Sequence, residues 1–437
     1  MTMSPVKTEA APPLQSKLLS PTTVEQPKIA FFGIFGIQNL GNECTLQAIL
    51  HNAREWLPGG ELYSICYRPD DTSRRHNVAA IAISARYFQS RSPSGEVVQR
   101  KGGISRLLRI CFQRAPGELL DWWKAIKALK GTDLVVMTGT GMLTDYSTSA
   151  FGYPFDVFKW ALAARLAGCK VRFVGIGVGP IYGRLSRLFI RYALSLADYR
   201  SFRDQFSKNR IKITGYDSDK DPVFPDLAFS LPKNIFPQHS NRTRQKRQVG
   251  LGIMDHRDVH IGTLSEQESA YSAYLEKMCD FTAWLIERGY GIHILQGDVK
   301  YDRRTRADLK ARLEQRGVRY DQAGIVDEDA TTVEDLVAQI AEVDIVVSPR
   351  FHNLLLGLML NIPVVSISYD PKNDALLEGI GLGKYRQPLT DLDVQKLIDQ
   401  FSELEAQADA VKPMISKKAS EYRTLLEKQY QLIFGGM

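Results

Sequence analysis

Short apolar runs that end in glycine, each followed by a stretch with helical spacing, recur along both halves of this sequence. Lys28-Ile29-Ala30-Phe31-Phe32-Gly33-Ile34-Phe35 reads as the first, a buried strand of the parallel-sheet type. It enters the turn from Gly36 to Glu43, after which Leu46, Ile49, Leu50, Ala53 and Leu57 lie on one helical face. Leu134 to Met137 is a second strand, leading into Thr138-Gly139-Thr140-Gly141, and Val171 to Ile176 is a third, leading into Gly177-Val178-Gly179-Pro180. From about Arg184 the spacing predicts a helix with Leu185, Leu188, Phe189, Tyr192, Ala193 and Leu196 on its apolar stripe. A short extended piece, Tyr199 to Phe202, then reaches Arg203-Asp204.

Between about Leu231 and Gln248 the periodicity stops and the chain turns polar, basic and proline-bearing, which marks a linker. The same grammar then restarts. Val249 to Ile253 and Gly291 to Leu295 read as strands around a helix from Tyr271 to Glu287. Val343 to Ser348 is a strand, Phe351 to Leu360 a helix, and Val364 to Ser368 a strand. The expected fold class is therefore α/β, two Rossmann-like domains facing a cleft. Its parts are a disordered tail over 1–27, an N-terminal domain over 28–230, a linker over 231–248, a C-terminal domain over 249–390 and helices over 391–437 that pack back across the first domain.

Composition narrows the partners. At 437 residues, with 44% hydrophobic and 24% charged positions, the chain has material for two cores. Its formal charge of +7 suits an anionic ligand, and the run Arg242, Arg244, Lys246 and Arg247 reads as a solvated linker rather than a nucleic-acid tract. Five dispersed cysteines without a C-x-x-C pair point to a reducing compartment and to no structural metal. Residues 1–26 lack the apolar core of a secretory signal, and no window reaches the ~18 apolar residues of a membrane span. A cytoplasmic protein is expected, with contact at the inner face of the membrane left open.

The candidate chemistry sits after the strands. Gly33-x-x-Gly36-x-x-x-x-Gly41 has neither the lysine of a P-loop nor the spacing of a dinucleotide fingerprint, so it reads equally as a tight turn or as an anion-binding loop. Ser348-Pro349-Arg350-Phe351-His352 is sharper. Arg350 offers a planar fork for carboxylate or phosphate, and His352 can exchange a proton near neutrality. The same pattern also fits an arginine capping a loop and a histidine packed in the core. Tyr369-Asp370-Pro371-Lys372-Asn373 follows another strand, with Lys372 placed for a phosphate and Asp370 for a loop cap. His256 and His260 share a four-residue spacing, but in a non-helical stretch without the glutamate of H-E-x-x-H.

These segments together resemble the polysaccharide pyruvyl transferase family. The resemblance rests on Asn39-Leu40-Gly41-Asn42-Glu43, on Gly139-Thr140-Gly141 with Asp145, and on Gly175 to Pro180 and Arg203-Asp204. Above all it rests on Ser348 to His352 with Ser366-Ile367-Ser368-Tyr369-Asp370, and it spans residues 28–385. Thr140 stands where the family has the middle glycine of a triple, and Asn42 where an acidic residue is commoner. The resemblance implies a fold similar to the B-type glycosyltransferases. It also implies a reaction in which phosphoenolpyruvate, as co-substrate and without a metal or other cofactor, gives its pyruvyl unit to two hydroxyls of a glycan sugar as a ketal and releases phosphate. The setting would be exopolysaccharide or cell-surface polysaccharide biosynthesis, with the question of a lipid-linked acceptor open. By the same resemblance His352 carries the proton transfer, and Arg350 and Arg203 hold the carboxylate or phosphate. Asn39, Gly41, Asn42, Gly139, Gly141, Gly177, Gly179, Tyr369, Asp370 and Lys372 line the substrates. A sugar-nucleotide-dependent glycosyltransferase and a non-catalytic ligand-binding protein of the same fold are the alternatives.

Overall fold

Two all-parallel six-stranded sheets carry the chain, and a computed structural model describes residues 26–84, 117–146, 148–237, 246–257 and 263–437. The N-terminal tail over 1–25, Arg242 and Arg244 of the basic run, Cys111 and His260 lie outside the described residues. The first sheet is ordered β3-β2-β1-β4-β5-β6. Its strands are β1 (Lys28–Phe32), β2 (Glu61–Cys66), β3 (Ala79–Ala82), β4 (Leu134–Thr138), β5 (Lys170–Ile176) and β6 (Tyr199–Phe202). The second is ordered β12-β11-β10-β7-β8-β9. It comprises β7 (Gln248–Gly252), β8 (Gly291–Leu295), β9 (Ile325–Val326), β10 (Ile345–Ser348), β11 (Val364–Ser368) and β12 (Arg386–Pro388). Each order reverses direction once, between β1 and β4 and between β7 and β10, and a crevice opens at the carboxyl ends of the strands at such switch points. This is the expected α/β architecture of two Rossmann-like domains facing a cleft.

The central strands are apolar throughout because helices cover both faces. β4 and β11 are buried at every position. In the first domain the helices are α1 (Leu40–Trp56), α2 (Pro69–His76), α3 (117–128), α4 (Tyr153–Leu166), α5 (Arg184–Ser195) and α6 (Gln205–Arg210). The second domain has α7 (Leu264–Glu287), α8 (Val299–Gln315), α9 (Val333–Ala341), α10 (Phe351–Met359), α11 (Pro371–Ile380) and α12 (Val394–Ala406). Helix α13 (Ala408–Phe434) returns to the first domain, where Gln429 donates to Ser201 Oγ at 2.7 Å and Arg423 to the Leu231 carbonyl at 3.1 Å. Side chains of α1, of the 3-10 turn Leu227–Ser230 and of α13 join the core of the second domain, so the two units share one apolar cluster.

One expectation holds only in part. Of the stripe predicted for α5, Leu185, Leu188 and Tyr192 are exposed, Phe189 and Leu196 are part-buried and Ala193 is buried, alongside Ser186, Ile190 and Leu194. The buried set follows helical spacing too, and its small members Ser186 and Ala193 allow close packing of α5. Among the described residues no helix is long and apolar enough to cross a membrane.

Candidate functional site

The loop after β1 is shaped by close packing. Gly36 has φ +75° and lies so near the Arg68 carbonyl that an added Cβ would sit 2.4 Å from that oxygen, which leaves glycine as the fitting residue. Its N–H donates to Glu43 Oε1 at 2.9 Å, and Glu43 Oε2 lies 2.7 Å from His76 Nε2 in a buried pair. Asn39 then caps α1, its Oδ1 accepting the Asn42 N–H at 3.2 Å. The Asn39 amide donates to Asp298 Oδ2 at 3.4 Å, and the Leu40 N–H to the Gly297 carbonyl at 3.0 Å. The α1 N-terminus is thereby tied to the second domain.

From the opposite side, β10 ends in Ser348, whose Oγ accepts the Arg350 N–H at 3.0 Å and the Asn353 amide at 3.3 Å. Asn373 of α11 donates to the Pro349 carbonyl at 2.7 Å. These bonds hold the two segments at 348–352 and 366–373 together, with Arg350 as N-cap residue and His352 in the first turn of α10.

The two halves meet at His352. Its ring lies against Gly41, where a Cβ would fall 2.1 Å from Nδ1, and its Nε2 has no hydrogen-bond partner. That nitrogen is 3.9 Å from Asp226 Oδ1. Asp226 Oδ2 in turn lies 3.5 Å from Arg203 Nη1, and the Arg203 guanidinium stands 5.4 Å from the Phe351 ring centroid. Gly177 is the notch for Arg203, since a Cβ there would meet the guanidinium at 2.4 Å. Lys372 projects over the Tyr369 ring at 5.0 Å. Burial is the main force on the His352 imidazole, with Arg203 and Lys372 adding to it and Asp226 opposing, and its pKa falls to about 4. The ring is neutral at pH 7. Burial opposes the charges of Arg203 and Lys372 too, but Asp226 and Asp204 outweigh it for the first and Tyr369 with Asp370 for the second, so both stay cationic.

Not every expected residue faces this cluster. Asn39 and Asp370 are occupied as caps, Asp370 accepting the Lys372 N–H at 3.0 Å, and the Asn42 N–H is taken by Asn39. Gly139 and Gly179 are also close-packing positions, their Cβ sites filled by the Gly175 carbonyl and the Thr144 side chain, and the backbone of Gly139 lines a small hollow. Gly141 has open space at its Cβ position and shares a small hollow with Gly177. Arg350 is bound to Asp302, which is fully buried on α8, and burial notwithstanding that partner raises its pKa. Three acids escaped sequence reasoning. Asp226 lies in an aperiodic stretch, while Asp298 and Asp302 sit in a charged run that reads as a solvated face. Among the described residues no group of three or more His, Cys, Asp or Glu side chains could hold a metal ion.

The contact at Gly41 yields a prediction. Gly41→Ala is expected to displace the imidazole and lower activity about tenfold or more, while overpacking costs about 1–3 kcal/mol of stability. Activity equal to wild type in a correctly folded variant would show that the ring position is not required.

Solved structures of similar shape include UDP-GlcNAc 2-epimerase from Neisseria meningitidis bound to UDP-GlcNAc, at TM-score 0.51 and 12% identity over 92% of this chain and 100% of that one. A putative UDP-N-acetylglucosamine 2-epimerase from Listeria monocytogenes reaches TM-score 0.54 at 10% identity, covering 93% and 97%. At such identity they show the fold alone, a B-type glycosyltransferase-like pair of domains. Amylovoran biosynthesis protein AmsJ of Erwinia amylovora is 23% identical over 283 residues, which is 62% of this chain and 64% of that protein, so the chain spans less than two thirds of this relative. The profile of the family described as Polysaccharide pyruvyl transferase matches residues 39–371, from the α1 cap to the start of α11, and so takes in every residue named in the cluster but Lys372. With three quarters of its length inside that match, the chain belongs to the polysaccharide pyruvyl transferase family.

Proposed function

We propose that the protein transfers the pyruvyl unit of phosphoenolpyruvate to two hydroxyls of a glycan sugar in the cytoplasm, forming a ketal and releasing phosphate. The observation that carries this reading is the buried His352 Nε2, unpartnered and set beside the cations Arg203 and Lys372. Ketal formation requires a proton at C3 of the enol, bonds from two hydroxyl oxygens to C2, and loss of the C2–O bond to phosphate. The two hydroxyl protons go one to C3 and one to the departing phosphate, so no oxidant, reductant or further cofactor enters the balance. Proton transfer suits His352, and the charge developing on the leaving phosphate suits the two cations. Gly141 and Gly177 supply the adjoining wall. The amylovoran biosynthesis relative supports a setting in exopolysaccharide or cell-surface polysaccharide biosynthesis.

Calorimetry of the purified protein with phosphoenolpyruvate, and separately with a panel of sugar nucleotides, tests the donor. Lys372→Met is the control of choice because Asp370 keeps its bond from the residue 372 N–H, whereas loss of Arg350 would unpair the fully buried Asp302. Saturable phosphoenolpyruvate binding weakened about tenfold or more in the variant is expected, a loss suited to one charge-assisted contact. Binding of a sugar nucleotide with no response to phosphoenolpyruvate would refute the reading.

A further inference from the structure

The α5 face that fails to enter the core is one part of a larger exposed apolar rim. Leu185, Leu188 and Tyr192 on α5 are 38%, 44% and 52% exposed, and Phe151 before α4 and Trp123 on α3 are 68% and 59% exposed. Aromatic contacts bridge the three helices beneath them. Trp122 packs edge-on to Phe155 at 6.5 Å, and Phe155 to Phe189 at 5.3 Å. In a parallel βα sheet each helix begins on the edge where the strands end, so the N-terminal halves of α3, α4 and α5 stand on the same edge as Gly177 and Arg203. Arg184, Leu185, Leu188 and Phe151 therefore border the cleft, and Arg191, Tyr192, Lys124 and Lys127 continue the rim away from it.

Its charges share one sign. Arg184, Arg191, Lys124 and Lys127 are exposed, and Lys127 lies 5.0 Å from the Trp123 ring centroid. The acids of these helices are less exposed: Glu118 is part-buried and 3.8 Å from Lys159, Asp121 is part-buried, and Asp156 is buried. Leucine and aromatic side chains interleaved with arginine and lysine form the composition of a helix face that lies in a membrane interface. A second copy docking by two-fold symmetry would set these cations against one another.

We propose that the rim of α3, α4 and α5 rests on an anionic bilayer surface and turns the cleft toward a lipid-linked acceptor. The bilayer contact stands on the rim alone, whereas the lipid-linked acceptor rests on the pyruvyl transfer reading. Insertion of the leucine and aromatic tips supplies apolar burial, and the arginines and lysines engage the lipid phosphates, so binding weakens as salt rises.

The full chain is sedimented with vesicles of phosphatidylcholine alone and of phosphatidylcholine with phosphatidylglycerol, at low and high salt. Two variants accompany it, Leu185→Ser/Leu188→Ser/Tyr192→Ser and Arg184→Glu/Arg191→Glu; all five positions are exposed. Wild type is expected to bind the anionic vesicles about tenfold or more better than the neutral ones, and both variants to lose about tenfold or more of that binding with unchanged phosphoenolpyruvate calorimetry. Equal binding by wild type and variants would overturn the proposal. So would a concentration-dependent dimer abolished by the variants, which assigns the face to a second copy. A loss of stability in the variants without change in vesicle binding would assign it instead to the chain's own residues 85–116. Failure of phosphoenolpyruvate binding with vesicle binding intact would remove the transfer reaction and leave the membrane contact standing.

Discussion

Alanine in place of His352 is expected to reduce turnover by about 10²–10⁴-fold, the usual contribution of a positioned proton-transfer group, while the protein stays folded at neutral pH. The ring makes no hydrogen bond through Nε2, so its removal deletes packing but orphans no partner. In the free protein the imidazole is neutral, its pKa lowered from 6.5 to about 4 chiefly by burial. A phosphate or carboxylate bound at Arg203 and Lys372 offsets those cations and raises that pKa, readying the ring to carry a proton. Phosphoenolpyruvate binding should accordingly take up protons near pH 6, read from binding heats in buffers of different ionisation enthalpy. The linkage to stability has the opposite face. Because the folded value is depressed, the contribution is present above pH 6.5 and is lost as pH falls toward 4. His352→Ala should flatten that acid limb, and a variant that keeps wild-type turnover would take His352 out of the mechanism.

Much of the fold was legible because buried parallel strands are nearly continuous apolar runs. The strands at Gly291–Leu295 and Val364–Ser368 match the reading residue for residue. Of the strands that escaped it, β3, β9 and β12 are short or half-buried edge elements, whereas the interior β2 mixes Glu61 and Ser64 with its apolar residues; α8 escaped because its exposed face is densely charged. The α5 stripe, which holds only in part, has a different cause. Its exposed leucines carry the same spacing as a core stripe, and nothing in a one-dimensional pattern separates an apolar face awaiting a partner from one already covered.

The site divides the same way. Arg350 and His352 were legible from a strand end followed by a helix, since that position faces the crevice of any such sheet. Asp226 and Asp302, which set the charge balance around them, come from segments distant in sequence: Asp302 meets Arg350 within the second domain, Asp226 meets Arg203 within the first, and the approach of Asp226 to His352 spans the two. The glycines behave likewise. A glycine signals close approach, but only the structure shows that Gly41 yields to His352 and Gly177 to Arg203, whereas Gly139 yields to backbone.

Asp302→Ala is expected to destabilise the protein by about 3–5 kcal/mol, the cost of breaking a buried ion pair from one side. Asp302 is wholly buried, and its Oδ2 accepts the Gly297 and Asp298 N–H groups at 2.8 and 2.9 Å while Oδ1 receives the Arg350 guanidinium. Alanine leaves two backbone donors and one buried cation without partners. Asp302→Asn retains an acceptor for the backbone but not the charge, so it should recover the part of the loss due to the N–H groups and none of that due to Arg350. The same N–H groups belong to the loop whose Gly297 carbonyl receives the Leu40 N–H from the first domain, so the carboxylate braces the seam as well as the arginine. Denaturant unfolding of the three proteins, with phosphoenolpyruvate affinity measured on each, separates these effects. Asp302→Asn with near-wild-type stability and weakened affinity would mean that the pair serves to aim Arg350. Wild-type stability in Asp302→Ala would show that neither the loop nor the guanidinium depends on this carboxylate.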